Sequence, residues 1–172
     1  VSKGKVALDD PLSRFLPDFP NGANIPIFRL LDHTNGVMSY TDAPGFWTTP
    51  PPLFVTTAQL VATIASLPPS FAPGEGWAYN NSGYVLAGAV IEAASGMAWH
   101  EYLAREVLAP HGIDGIWHPA DWRVMPGFVA GHGPDDVGRV TGAFPPMFAT
   151  AHGAGGMVGD VRSLWRWDVA LH

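Results

Sequence analysis

Apolar positions along the chain fall into helical groups separated by long turn-forming stretches. Ser82 to Ser95 is apolar on most sides and runs into Gly96, which predicts a helix at the centre of the fold. Thr57 to Leu67 predicts a second helix, opened by Thr56 and Gln59 at capping-box spacing and stopped by Pro68-Pro69. A third is predicted from Trp99 to Leu108, with Trp99, Tyr102, Leu103 and Val107 on one face and Pro110 and Gly112 closing it. Shorter pieces begin at Pro11, with Asp9 or Asp10 as the cap, and at Pro26, where Ile27, Phe28, Leu30 and Leu31 precede the polar turn Asp32 to Gly36. Asp160 caps a last helix from Val161. Residues 37–55 read as loop, and residues 113–150 as irregular chain with one or two short strands around Trp122 to Val129. The expected class is mainly α with long loops.

Composition narrows this further. With 20 Gly and 17 Pro in 172 residues, a coiled coil or plain helical bundle is excluded. Hydrophobic residues make up 47% and charged residues 14%, which excludes disorder and suggests that part of the surface is covered by chain outside this sequence. The net charge of -6, with nine Lys plus Arg scattered along the chain, leaves no footprint for nucleic acid, so no such partner is expected. Absence of cysteine removes disulfides, thiol nucleophiles and cysteine-metal sites. The longest apolar run, Tyr84 to Ala94, is broken by Gly88 and Glu92 and is too short for a transmembrane segment. The chain opens at Val1 without a Met, and its last helical pattern is unfinished at His172. The expectation is one domain over residues 1–172, cut at both ends, and its compartment stays open because an export signal would precede Val1.

Candidate chemistry concentrates in the turn-dense stretch Pro73 to Tyr84, which delivers Tyr79 and Asn81 into the start of the most apolar helix. Alternate side chains of extended backbone point the same way, so the two can face one cavity. The competing reading makes Tyr79 a core-edge aromatic and Asn81 or Ser82 the helix N-cap. The seven histidines share no ligand spacing: His100-Glu101 starts like a zinc motif but Ala104 stands at the second ligand position, and no metal or other cofactor is expected. His152-Gly153-Ala154-Gly155-Gly156 resembles an oxyanion loop, but no G-x-S-x-G accompanies it and a glycine turn is the better reading.

Several stretches in order carry a resemblance: Gly4-Lys5-x-x-Leu8-Asp9-Asp10-Pro11, Leu30-Leu31-x-His33-Thr34-Asn35-Gly36, Phe71-x-Pro73-Gly74 with Tyr79-x-Asn81-x-Gly83-Tyr84, Ile91-Glu92-x-x-Ser95-Gly96, Leu108-x-Pro110-x-Gly112-Ile113, and Gly155-Gly156-Met157-Val158 before Leu164-Trp165-Arg166-Trp167. Together they resemble the serine beta-lactamase-related family, which groups class C beta-lactamases, D-alanyl-D-alanine carboxypeptidases, D-aminopeptidases and esterases. The resemblance implies the helical portion of an α+β fold whose central antiparallel sheet is largely missing here. It also implies hydrolysis of a small-molecule amide or ester through a Ser acyl-enzyme. Tyr79-Asn80-Asn81 matches the family's Y-x-N motif, making Tyr79 the general base and Asn81 the residue that orients substrate and Lys. Free Tyr has a pKa near ~10, so a phenolate base needs neighbouring cations.

The family's Ser and Lys lie one helical turn apart as S-x-x-K. Ser2-Lys3-Gly4-Lys5 spells this, but Gly4 disfavours helix and no apolar residues flank it, so the true pair is expected before Val1 and the K-T-G or H-x-G motif after His172. The implied segment is therefore catalytically silent alone. In the family the His33 turn braces the region near the active site. Ser163 departs from the Asp the family often has before Leu164, which affects a helix turn only. Two alternatives stay open: a non-catalytic module binding a peptide or D-amino acid, and an interaction protein that self-associates through the uncovered surface.

Overall fold

The computed structural model describes residues 1–46, 55–118, 129, 131–135, 137–143 and 148–172. Its longest helix, α3 (Asn81–Ser95), buries Val85, Leu86, Ala89 and Val90 and touches three other helices. These are α1 (Ile27–Leu31), α2 (Thr57–Ala65) and α4 (Trp99–Leu103). The core gathers Leu12, Ile25, Leu30, Ile64, Val85 and Leu86 around this helix. Its position follows from its sequence, since a helix apolar nearly all round has no face to give to water.

Local signals set most of the ends. At the start of α2, Gln59 N–H donates to Thr56 Oγ1 at 3.2 Å while Gln59 Oε1 accepts from Thr56 N–H at 2.9 Å, the reciprocal capping box. Gly96 closes α3 in the left-handed region, φ 75°. The helix beginning at Pro11 is a single 3-10 turn, Leu12–Arg14, with no side-chain cap. Asp10 instead accepts from Ala7 N–H at 2.7 Å and from Arg14 Nη1 at 2.6 Å, and these bonds hold its carboxyl below the ordinary carboxylate range. The helix from Trp99 is α only as far as Leu103 and widens to a π turn over Ala104–Leu108. A proline clashes with the carbonyl four residues back in an α-helix, and the wider turn precedes Pro110.

The strands are short. β1 (Ile116–Trp117) pairs antiparallel with β4 (Val158–Gly159), and β2 (Gly131–Pro134) pairs antiparallel with β3 (Val140–Ala143). Most of the segment in which strands were expected, Trp122 to Val129, lies outside the described residues. Between β3 and β4 lie the short α5 (Phe148–Ala151) and a 3-10 turn over His152–Ala154.

α6 (Val161–Leu171) is capped by Asp160, which accepts from Ser163 N–H at 2.8 Å. Buried Ser163 also accepts from Gly115 N–H at 3.1 Å, so its hydroxyl ties this helix to the start of β1. On its outer side Val161, Leu164, Trp165 and Val169 are exposed. Among the described residues, no helix is long and apolar enough to cross a membrane.

The His152 turn carries a pH-dependent contact. Trp99 Nε1–H donates to His152 Nδ1 at 2.9 Å, which requires that nitrogen to be unprotonated. Burial pushes the imidazole below its ordinary 6.5, with the neighbouring His100 acting the same way. The folded state therefore binds fewer protons than the unfolded chain between that depressed value and 6.5, and this contribution to stability is present above 6.5 and lost on acidification. Thermal melts at about pH 7 and about pH 5 are expected to differ, and His152→Asn to shrink that difference while lowering stability at both. An equal difference in the variant would assign the effect to other groups.

Candidate active site

The site is built on two rails that hold the strand-like approach to α3. The first is the turn 33–36. Its backbone oxygens receive this approach in sequence: Gly36 O accepts from Ser70 N–H at 2.8 Å, Thr34 O from Gly74 N–H at 2.9 Å, and His33 O from Ala78 N–H at 3.2 Å. Gly36 is required for it, since a Cβ there would stand 2.1 Å from Phe71 O, and its φ is 74°.

The second rail is the segment 37–42, including a 3-10 turn at Tyr40–Asp42. Ser39 Oγ accepts from Asn81 N–H at 3.2 Å, and Thr41 Oγ1 accepts from Asn81 Nδ2 at 2.9 Å. Ser82 Oγ donates to Met38 O at 2.7 Å and accepts from Tyr40 N–H at 2.9 Å. Asn80 donates from Nδ2 to Val37 O and caps α3 by accepting from Gly83 N–H at 2.8 Å. The N-cap is thus the middle residue of the Tyr79-Asn80-Asn81 run, not Asn81 or Ser82. Asn81, as the first residue of the helix, has its side chain released from capping.

Tyr79 stands out from these rails, 62% exposed, beside Trp77 at 67%. Its ring lies 4.9 Å from the His33 ring at 43°. Among the described residues none hydrogen-bonds its hydroxyl. Two other phenols close by are committed: Tyr84 donates to Leu31 O at 3.1 Å, and buried Tyr40 donates to Thr150 O. Burial first, and the nearby Tyr79 charge second, push Tyr40 up to about 12. Tyr40 therefore stays protonated and serves as a tie between the second rail and α5. Its raised value means stability is present below about 10 and lost as pH climbs toward about 12. Tyr40→Phe is expected to lower stability by about 1 kcal/mol at neutral pH and to flatten that alkaline loss, read by denaturant melts.

The two lysines lie away from this turn. Lys3 is ion-paired with Glu106, and Lys5 Nζ donates to Ala94 O at 3.2 Å. Residues 1–5 form no helix, so Ser2 and Lys5 lack the one-turn stacking that a Ser-Lys pair needs. His152 and Trp99 belong to the packing described above. Among the described residues, no group of three or more His, Asp or Glu could hold a metal ion.

The family described as Beta-lactamase matches the chain over residues 1–172. This chain belongs to the Beta-lactamase family. Within this family of serine hydrolases it is 27% identical to the putative penicillin-binding protein PbpX of Bacillus subtilis over 98% of its own length and 41% of the relative's. It is 36% identical to esterase EstB of Burkholderia gladioli over 66% of its length and 32% of that protein's. Among solved structures, a D-stereospecific amidohydrolase from Streptomyces superposes with a TM-score of 0.87 at 29% identity, covering 99% of this chain and 54% of that one. The chain thus spans about half or less of the length of these Beta-lactamase relatives. The partial α+β likeness agrees with a helical body that carries, among the described residues, two two-stranded antiparallel sheets.

Signals for Ser39, Tyr40 and Thr41 are missing from the linear sequence. They sit about 40 positions before the Y-x-N run, in a stretch with no periodicity, and only the hydrogen bonds to Asn81 and Ser82 reveal their part.

Proposed function

We propose that residues 1–172 are the helical middle region, a single domain segment, of a longer serine hydrolase that cleaves a small amide or ester through a Ser acyl-enzyme, with Tyr79 as general base and Asn81 as substrate-positioning residue. The observation that carries this reading is the contrast between a rigidly hydrogen-bonded turn and an open Tyr79 hydroxyl at its tip. A group meant only to pack would bury its ring and commit its hydroxyl, as Tyr40 does.

In this mechanism the nucleophilic Ser and its Lys come from polypeptide on the N-terminal side of the segment. Tyr79, as phenolate, takes the Ser proton while Ser oxygen bonds to the substrate carbonyl carbon. When the tetrahedral intermediate collapses, the carbon–nitrogen or carbon–oxygen bond breaks and the Tyr79 hydroxyl gives that proton to the leaving atom. Water then adds to the acyl-enzyme, Tyr79 takes a proton from it, and the Ser oxygen departs with that proton. A phenolate near neutrality needs cations beside it, a part that falls to the Lys of S-x-x-K and to the later K-T-G or H-x-G strand. With Asn81 Nδ2 held by Thr41, the Asn81 carbonyl oxygen is left to accept from the substrate or that Lys.

The isolated 172-residue chain is expected to be inert. Intact-mass spectrometry after incubation with a beta-lactam or an activated ester is expected to find an acyl adduct on the longer chain that includes S-x-x-K and none on residues 1–172. An adduct on the short chain would overturn the assignment. The exposed apolar side of α6 is assigned to contact with the rest of the fold, and the short chain alone is expected to self-associate in sedimentation at rising concentration.

A further inference from the structure

We infer that His33 is a positioning residue for Tyr79, acting through the backbone on both sides of that tyrosine and through its ring face, so that its loss slows turnover without weakening substrate binding. The inference rests on the general-base reading of Tyr79 above.

Three contacts converge on one residue. The carbonyl of His33 accepts from Ala78 N–H at 3.2 Å, and its Nδ1 accepts from Asn80 N–H at 3.1 Å. These N–H groups belong to the residues on either side of Tyr79, and that of Asn80 lies in the peptide joining it to Tyr79, so His33 holds the backbone before and after the phenol-bearing residue. The imidazole also lies against the Tyr79 ring at 4.9 Å, and its other contacts, Trp77 at 5.9 Å and Tyr84 at 5.4 Å, keep it from swinging away. Acceptance at Nδ1 requires the neutral ring with its proton on Nε2.

Backbone geometry supports the same role. His33 has φ 66°, a left-handed conformation uncommon for residues other than glycine, though His adopts it more readily than most. Such strain persists where the surroundings over-determine it, and here those surroundings are the bonds to the Tyr79 turn. The exposed phenol makes no hydrogen bond of its own among the described residues, so its position is set by its backbone and by the rings against it. A displacement of about 1 Å at a catalytic group can reduce rate by about 10²-fold, so removing the imidazole should be felt in kcat.

The test uses the longer, catalytically complete chain and the variants His33→Ala, His33→Asn and Tyr79→Phe. Asparagine tolerates the left-handed conformation and offers an oxygen to Asn80 N–H, but has no ring. For His33→Ala, kcat is expected to fall about 10- to 100-fold with KM within about threefold, and Asn80 amide hydrogen exchange to quicken. His33→Asn is expected to recover part of kcat and to slow that exchange again. Where the alanine variant does not fold, His33→Asn carries the test, with an intermediate loss in kcat at constant KM. A folded His33 variant that keeps wild-type kcat, or that raises KM alone, overturns the inference. If Tyr79→Phe is inactive while the His33 variants are not, only this inference fails; if Tyr79→Phe is active, the general-base reading fails first.

Discussion

Tyr79→Phe in the longer protein is expected to lower kcat by about 10²- to 10⁴-fold, the range for losing a positioned general acid–base group, with little change in KM. The substitution removes one oxygen and leaves the ring against His33, so the turn should keep its shape. Because the Tyr79 hydroxyl has no hydrogen-bond partner among the described residues, its removal should leave thermal stability within about 0.5 kcal/mol of wild type. That pairing of outcomes is diagnostic. A tyrosine kept for packing would show the reverse, as Tyr40→Phe is expected to do through its lost bond to Thr150. Steady-state kinetics and a denaturant melt on the same variant read both.

A large loss of stability is expected at Gly83, on the face of α3 that meets α1. Replacing glycine with alanine inside a helix ordinarily stabilises it by about 1 kcal/mol. At position 83 the added methyl would stand 2.7 Å from the Leu30 carbonyl oxygen and 2.9 Å from Asn35 Nδ2. The first is backbone of a buried helix, and the second belongs to a buried side chain that donates to Arg29 O and accepts from Val37 N–H. Neither can yield cheaply, so the clash outweighs the propensity gain and Gly83→Ala should destabilise by about 3 kcal/mol. Gly88→Ala, on the same helix, is the control: its methyl would meet Trp99 atoms at 3.5 Å, an ordinary contact. That variant should match wild type or exceed it. Equal stability of Gly83→Ala and wild type in chemical denaturation would show that α1 and α3 do not meet as described. Since Asn35 joins the two rails, the alanine variant that does fold should also lose activity in the longer chain.

What the sequence disclosed was mostly local. A capping box, a C-terminal glycine and an aspartate N-cap act within four residues, and Thr56 with Gln59, Gly96 and Asp160 perform as their spacing predicts. Where two local solutions competed, spacing did not choose between them. Asp10 is spent on Ala7 and Arg14 instead of a helix end, and Asn80 caps α3 one residue earlier than the run Asn81-Ser82 suggests. Proline at 110 is visible in the sequence as a helix breaker, but that the turn ahead of it widens to π over Ala104–Leu108 is not. The candidate site was legible in its tip and not in its support. Tyr79 and Asn81 share a recognisable motif, whereas Ser39 and Thr41 reach Asn81 across a separation that no periodicity spans. His33 sits between the two cases: its turn is visible as a motif, but its bond to Asn80 exists only in three dimensions.

The most direct test of the central claim is to place a fluorinated tyrosine, whose hydroxyl is more acidic, at position 79 of the longer chain and record kcat/KM against pH. If the Tyr79 oxygen carries the transferred proton, the limb of the profile that reports the base should move to lower pH with the acidity of the ring. A profile that superimposes on that of the natural protein would contradict it.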